Sequence, residues 1–152
     1  MTLTDTLRAA AADTSTGRPE LAIPRVVVAV DGRPASEDAL AWAADEALCR
    51  GMRLRIVTAF ADPGSPHAAR TIEQAMQCQQ RLQRALARSR PWLDEAERIV
   101  RRGSLRSLLT EATEPGDVLV IGEAAEVGAM DRSLRPHCPV VIVPMQRETR
   151  DS

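Results

Sequence analysis

Three runs in this chain, Arg25-Val-Val-Val-Ala-Val30, Asp117-Val-Leu-Val-Ile-Gly122 and Pro139-Val-Val-Ile-Val-Pro144, are apolar and mostly β-branched, without polar alternation. A strand with one wet face alternates polar and apolar residues. Runs like these are expected where both faces of a sheet are covered. Helical patterns lie between them, so strand and helix alternate along the chain. That order predicts an α/β domain, a parallel sheet with helices on both faces. Right-handed crossovers leave few arrangements open.

The first run ends in Asp31-Gly32-Arg33-Pro34, a turn, and Ser36 is placed to cap the helix that follows. Ala39, Leu40, Ala43, Ala47 and Leu48 recur at helical spacing, and Gly51 closes that helix. Arg53-Leu-Arg-Ile-Val-Thr-Ala-Phe60 reads as the second strand, stopped by Asp62-Pro63-Gly64. From about His67 to Arg90, Ile72, Met76, Leu82 and Leu86 are expected on the buried face of an amphipathic helix, with Gln77, Arg81, Arg84 and Arg88 facing water. A weaker strand is expected at 97–101, a helix at 105–112, a fourth strand ending at Gly122, a short helix near 127–134 and a fifth strand at 140–143. Residues 1–23 read as a mobile tail, 24–146 as one domain and 147–152 as a C-terminal tail.

At 152 residues the chain is long enough to bury a core. The formal net charge of −1 argues against a generic nucleic-acid binder. Phe60, Trp42 and Trp92 are the full set of aromatics, too few for base stacking. Cys49, Cys78 and Cys138 are odd in number and lack a CxxC, so neither a zinc site nor a disulfide framework is expected. Buried, reduced thiols follow from that. There is no apolar run long enough for a membrane span and no signal-peptide pattern, so the expected location is cytoplasmic.

Val28-Ala-Val-Asp-Gly-Arg-Pro-Ala-Ser36, followed by Ala39-Leu-Ala-Trp-Ala-Ala44, resembles the opening of the universal stress protein family. Gly116-Asp-Val-Leu-Val-Ile-Gly122 and His137-Cys-Pro-Val-Val-Ile-Val-Pro144 resemble its ending, and the step from Gly103 to Leu108 fits between. The resemblance implies an open five-stranded sheet of order 3-2-1-4-5, the adenine nucleotide alpha hydrolase-like fold. It also implies a ligand crevice between the first and fourth strands, where a topological switch independently places one.

Nucleotide-binding relatives carry G-x2-G-x9-G-(S/T) after the fourth strand, glycines whose N–H groups curl around phosphate. Gly122 matches the first glycine. Ala125 and Arg135 stand at the next two, and the connection of sixteen residues to Pro139 is short. Residues 107–131 hold six acidic side chains (Glu111, Glu114, Asp117, Glu123, Glu126 and Asp131) and no basic one. Two carboxylates within ~5 Å of a phosphate would each repel it by roughly 1–3 kcal/mol. The site therefore reads as degenerate, with no cofactor expected.

If a nucleotide site is retained, the resemblance assigns it to Asp31, Gly32, Arg33, Ala59 and Gly122. Asp31 either holds the adenosine end or only shapes its turn. Arg33 either offers a guanidinium to an anion or is a solvated turn residue. Asp31, Glu123 and Glu126 form a carboxylate set of the kind that binds Mg²⁺ or Ca²⁺, but no spacing demands a metal. His67 and His137 lack a nucleophile or partner, so no catalytic residue is assigned.

Val140, Val141, Ile142 and Val143 form an apolar edge strand without a protective charge, which must be covered or paired. Relatives dimerise through this strand, so a homodimer is expected. The stretch from Arg81 to Arg106 carries eight arginines against Asp94, Glu95 and Glu97, a candidate protein-docking face. The sequence thus points to a stress-linked regulatory domain acting through protein contacts without turnover. One alternative retains ATP or AMP in the crevice; another is a metal-dependent hydrolase using the acidic cluster.

Overall fold

The computed structural model describes residues 23–123 and 138–144. Five strands, β1 (Arg25–Ala29), β2 (Arg53–Phe60), β3 (Glu97–Arg102), β4 (Val118–Gly122) and β5 (Val140–Val143), form one parallel sheet of order β3-β2-β1-β4-β5. Three helices connect them: α1 (Pro34–Arg50), α2 (Ile72–Ala87) and α3 (Leu105–Ala112). The expected short helix near 127–134 lies outside the described residues, as do both tails apart from Ile23.

The β-branched runs of β1 and β4 are central for the reason the sequence suggested, whereas that of β5 lies at the edge with Ile142 exposed. Val26 and Val28 pack under α1 and α2 with Leu40, Ile56, Leu86 and Leu93. Val27 and Ala29 pack on the other face with Val57, Leu119, Ile121 and the α3 residues Leu108 and Leu109. Both faces are therefore dry, and alternation has no work to do along β1 or β4. On α1 most contact residues are alanines, Ala39, Ala43, Ala44 and Ala47, all buried beside Leu40. Small side chains let that helix lie close to the sheet. Gly51 ends it in the left-handed region at φ 66°.

α2 departs from expectation. It spans Ile72–Ala87 rather than 67–90, capped by Thr71, whose hydroxyl accepts from the Gln74 N–H at 3.2 Å. Ile72 and Met76, expected in the core, are 43% and 54% exposed. Ala75, Cys78, Gln79, Gln83 and Leu86 are buried instead. The reason is polar. Gln79 Nε2 donates to Thr58 Oγ1 and Ile99 O, each at 3.0 Å, and Gln83 Nε2 donates to Leu93 O. Glutamines whose hydrogen bonds are met can replace apolar side chains beneath a helix.

Two smaller corrections concern the thiols and a turn. Cys78 and Cys138 are buried as expected, but Cys49 is exposed near the end of α1. A 3₁₀ turn at Pro91–Glu95, not expected from the sequence, inserts Leu93 into the core and lets Trp92 donate to Ala44 O at 2.8 Å.

Candidate functional site

The chain leaves β1 toward β2 on one side and returns through α3 to β4 on the other. A crevice of about 380 Å³ lies at the carboxyl ends of these strands, where a topological switch places one. Asp31, Arg33, Ala59 and Gly122 all line it, so four of the five residues expected at a retained site converge. Gly32 is exposed and is not part of the lining. Ala29, Val30 and Ile121 give the crevice an apolar floor.

Asp31 is engaged with its own turn. Its Oδ1 accepts from the Arg33 N–H at 2.8 Å and from the Ser36 hydroxyl at 2.9 Å. Its N–H donates to Ser36 Oγ at 2.7 Å. Ser36 is thus not the cap of α1. Arg33 occupies that position, Pro34 follows, and Ser36 is buried inside the first turn, locked to Asp31.

Gly122 has a packing role that sequence reasoning did not supply. A Cβ built there would lie 2.5 Å from Ala35 O, so only glycine lets the end of β4 meet the first turn of α1.

The sequence reading missed Asp62. Its Oδ1 accepts from the Gly64 N–H at 2.9 Å, and its Oδ2 accepts from the Leu105 N–H at 3.0 Å. It is the carboxylate at the N-terminus of α3, where Ser104 also caps by accepting from the Ser107 N–H. Own-chain carboxylates therefore sit at the start of both helices that flank the crevice, against their positive dipole ends. The signal was present: in a parallel sheet every strand-to-helix loop emerges at the same end. Asp62-Pro63-Gly64, read only as a strand stop, belonged to the site by topology.

Of the described acidic residues between 107 and 131, only Glu123 lies at the crevice end. Asp117 is buried at the far end of β4, accepting from the Arg25 N–H and the Glu114 N–H, each at 2.9 Å. Glu111, in the last turn of α3, and Glu114, just beyond it, are exposed, and Glu123 follows β4 at the crevice end. Glu126, Asp131, Ala125 and Arg135 lie outside the described residues, as does His137. Among the described residues, no three His, Cys, Asp or Glu side chains gather as a metal site would require.

Burial pushes the Cys138 thiol up, and the Asp117 carboxylate adds to the shift. Burial likewise raises Cys78. Both are held as thiols, poor nucleophiles. No described helix is long and apolar enough to cross a membrane.

An open, doubly wound sheet of this order, with a crevice at its switch point, defines the class of adenine nucleotide alpha hydrolase-like folds. Within it, residues 22–129 match the universal stress protein family, and the chain belongs to that family. The universal stress protein from Archaeoglobus fulgidus in complex with dAMP is similar at 23% identity, covering 80% of this chain and 98% of that one, with a TM-score of 0.52. A universal stress protein in complex with cAMP matches at 21% identity, 82% and 99% coverage and a TM-score of 0.51. UspA from Lactobacillus plantarum matches at 13% identity, 80% and 97% coverage and a TM-score of 0.52. At these identities the likeness is one of fold. No curated protein matches in sequence.

Proposed function

We propose that this domain is a regulatory interaction module that works through protein contacts, without turnover, and does not bind adenine nucleotides tightly. The observation that carries the reading is the pair of carboxylates at the crevice. The Asp62 carboxylate takes the Leu105 N–H, a donor otherwise offered to the crevice, and Asp31 adds a second negative charge. Displacing both would cost ligand binding energy that a glycine cradle would not. Ala125 and Arg135 in place of glycines agree with this.

Contacts are assigned to two surfaces. Among the described residues β5 forms an unpaired apolar edge on which Ile142 is 44% exposed, and this strand pairs with a second copy to give a homodimer. The arginine-rich face between 81 and 106 meets a protein partner. The test of the site is calorimetric titration of folded protein with ATP and Mg²⁺. No saturable heat up to 1 mM is expected. Binding tighter than ~100 µM, or about −5.5 kcal/mol, would overturn the reading.

A second reading keeps adenine nucleotide in the crevice. It is favoured by the convergence of Asp31, Arg33, Ala59 and Gly122 on one cavity of about 380 Å³, within the range of small-molecule sites. Relatives of the same fold are described in complex with dAMP and cAMP. Adenosine binding with ATP silent would place the base in the crevice while leaving the phosphates without a cradle.

A further inference from the structure

Ile72, Met76, Gln79 and Gln83 recur at intervals of four, three and four, which places them on one stripe of α2. The lower half of that stripe is spent on β3 and the turn before it. Gln79 bonds Ile99 O, and Gln83 accepts from Arg98 at 3.3 Å. The stripe therefore faces β3. Its upper half, Ile72 and Met76, faces the same way and is left exposed by the described residues. β3 is the last strand on this side and pairs only with β2 among the described residues. α2 thus carries an apolar stripe broad enough for a sheet one strand wider.

The open edge has a matching charge pattern. Ile99 packs on the α3 face, so by strand alternation Arg101 shares that face and Val100 turns toward α2. Arg98, Arg101 and Arg102 are exposed, and none makes an ion pair among the described residues. Arg102 lies over the Phe60 ring at 5.7 Å. The Arg101 guanidinium donates to Val100 O at 3.3 Å, a makeshift partner for a carbonyl without a neighbouring strand. Charge alone would protect an edge from aggregation. It does not explain two bare apolar side chains beside that edge.

We infer that the open edge of β3 takes up an extended segment of a partner protein whose side chains alternate apolar and acidic, adding a sixth strand. The apolar residues cover Ile72 and Met76, the acidic ones meet Arg101 on the opposite face, and main-chain hydrogen bonds supply register. Nucleic acid is disfavoured because this surface offers Phe60 alone as an aromatic, already covered by Arg102. The inference rests on the reading of the domain as a protein-contact module and gives its arginine face a binding mode.

The test uses the full chain and a fluorescein-labelled eight-residue peptide of alternating valine and glutamate, followed by anisotropy. Saturable binding is expected. The double variant Ile72→Ser/Met76→Ser should weaken it about tenfold, and Arg101→Glu should do the same. All three positions are exposed, so the unfolding midpoint serves as the control for folding. Amide exchange at Val100 and Arg102 should slow when peptide is bound.

Silence up to 1 mM peptide overturns the inference. So does equal binding of a block peptide of the same composition or of a thymidine oligonucleotide, which would mean plain polyanion attraction. A homodimer broken by Ile72→Ser/Met76→Ser also overturns it, because the stripe would then be covered by a second copy. The ATP titration is independent of all these arms, so failure here and failure of the degenerate-site reading remain distinguishable.

Discussion

β5 and β3 are the outermost strands of the same sheet, yet one carries Val140-Val-Ile-Val143 and the other Glu97-Arg-Ile-Val-Arg-Arg102. Among the described residues both present an unpaired backbone edge, and water acts on them differently. β5 has no charge to keep a second strand away, and its exposed Ile142 gains by being covered. Such an edge suits a lasting interface, dry and insensitive to salt. β3 exposes arginines, so it remains soluble while unoccupied and suits a reversible partner whose affinity falls with ionic strength. On the reading proposed above, edge chemistry separates a lasting contact at β5 from a conditional one at β3.

The strongest way to break this comparison is Ile142→Lys. A lysine at the centre of β5 adds the protective charge that β3 already has. The homodimer dissociation constant should rise about 100-fold, or about 2.7 kcal/mol, read by sedimentation equilibrium. Peptide binding at β3 should stay unchanged. An unaltered dimer would mean that β5 is not the interface.

Gly122→Ala acts one strand further in. Its Cβ would meet Ala35 O at 2.5 Å, and a backbone carbonyl in the first turn of a helix cannot easily yield. A loss of about 2 kcal/mol in urea unfolding is expected. Because Gly122 is paired with Val143, amide protection should fall along β4 and β5 and persist in β3. Stability equal to wild type would show that α1 can shift and that the close approach is not required.

Much of this asymmetry was legible in the sequence. The β-branched runs of β1 and β4 identify strands covered on both faces, that of β5 does not, and the charge on 97–102 marks a poorer strand suited to an edge. The α2 face was not legible, because hydropathy ranks Ile72 and Met76 above Gln79 and Gln83. Only the positions of the Thr58 hydroxyl and the Ile99 and Leu93 carbonyls make buried glutamines favourable. The crevice was half legible. Asp31 and Gly122 stand out by resemblance, whereas Asp62 acts on Leu105, a partner that the order of residues does not reveal. Ser36 follows the turn so closely that it reads as a cap, and its contact with Asp31 appears only once the turn is folded.

The smallest expected effect sharpens the comparison most, because it asks what holds β3 in place. Glu97 accepts from Arg55 Nε at 3.0 Å and from its Nη2 at 3.1 Å, and it lies 3.4 Å from Arg25 Nε. One carboxylate on the edge strand thereby ties β3 to β2 and β1. The hydrogen bond from Arg55 holds the Glu97 carboxyl below its ordinary value of 4.5, against a smaller opposing effect of burial. A depressed value means that the folded state binds the proton less readily than the unfolded chain does. The stabilisation is therefore complete above about pH 4.5 and is lost as pH falls through the lower folded value. With the Glu97 side chain 47% exposed, screening limits the cost of Glu97→Gln to roughly 0.5–1 kcal/mol. Protection factors of the β3 amides, corrected for intrinsic exchange, should fall below about pH 4.5 and in high salt, while those of β5, held by apolar contact, do not respond. Glu97→Gln should remove Glu97's share of that acid response. If β3 and β5 lose protection together as the pH falls, charge does not distinguish the two edges, and the division between a permanent and a conditional surface fails with it.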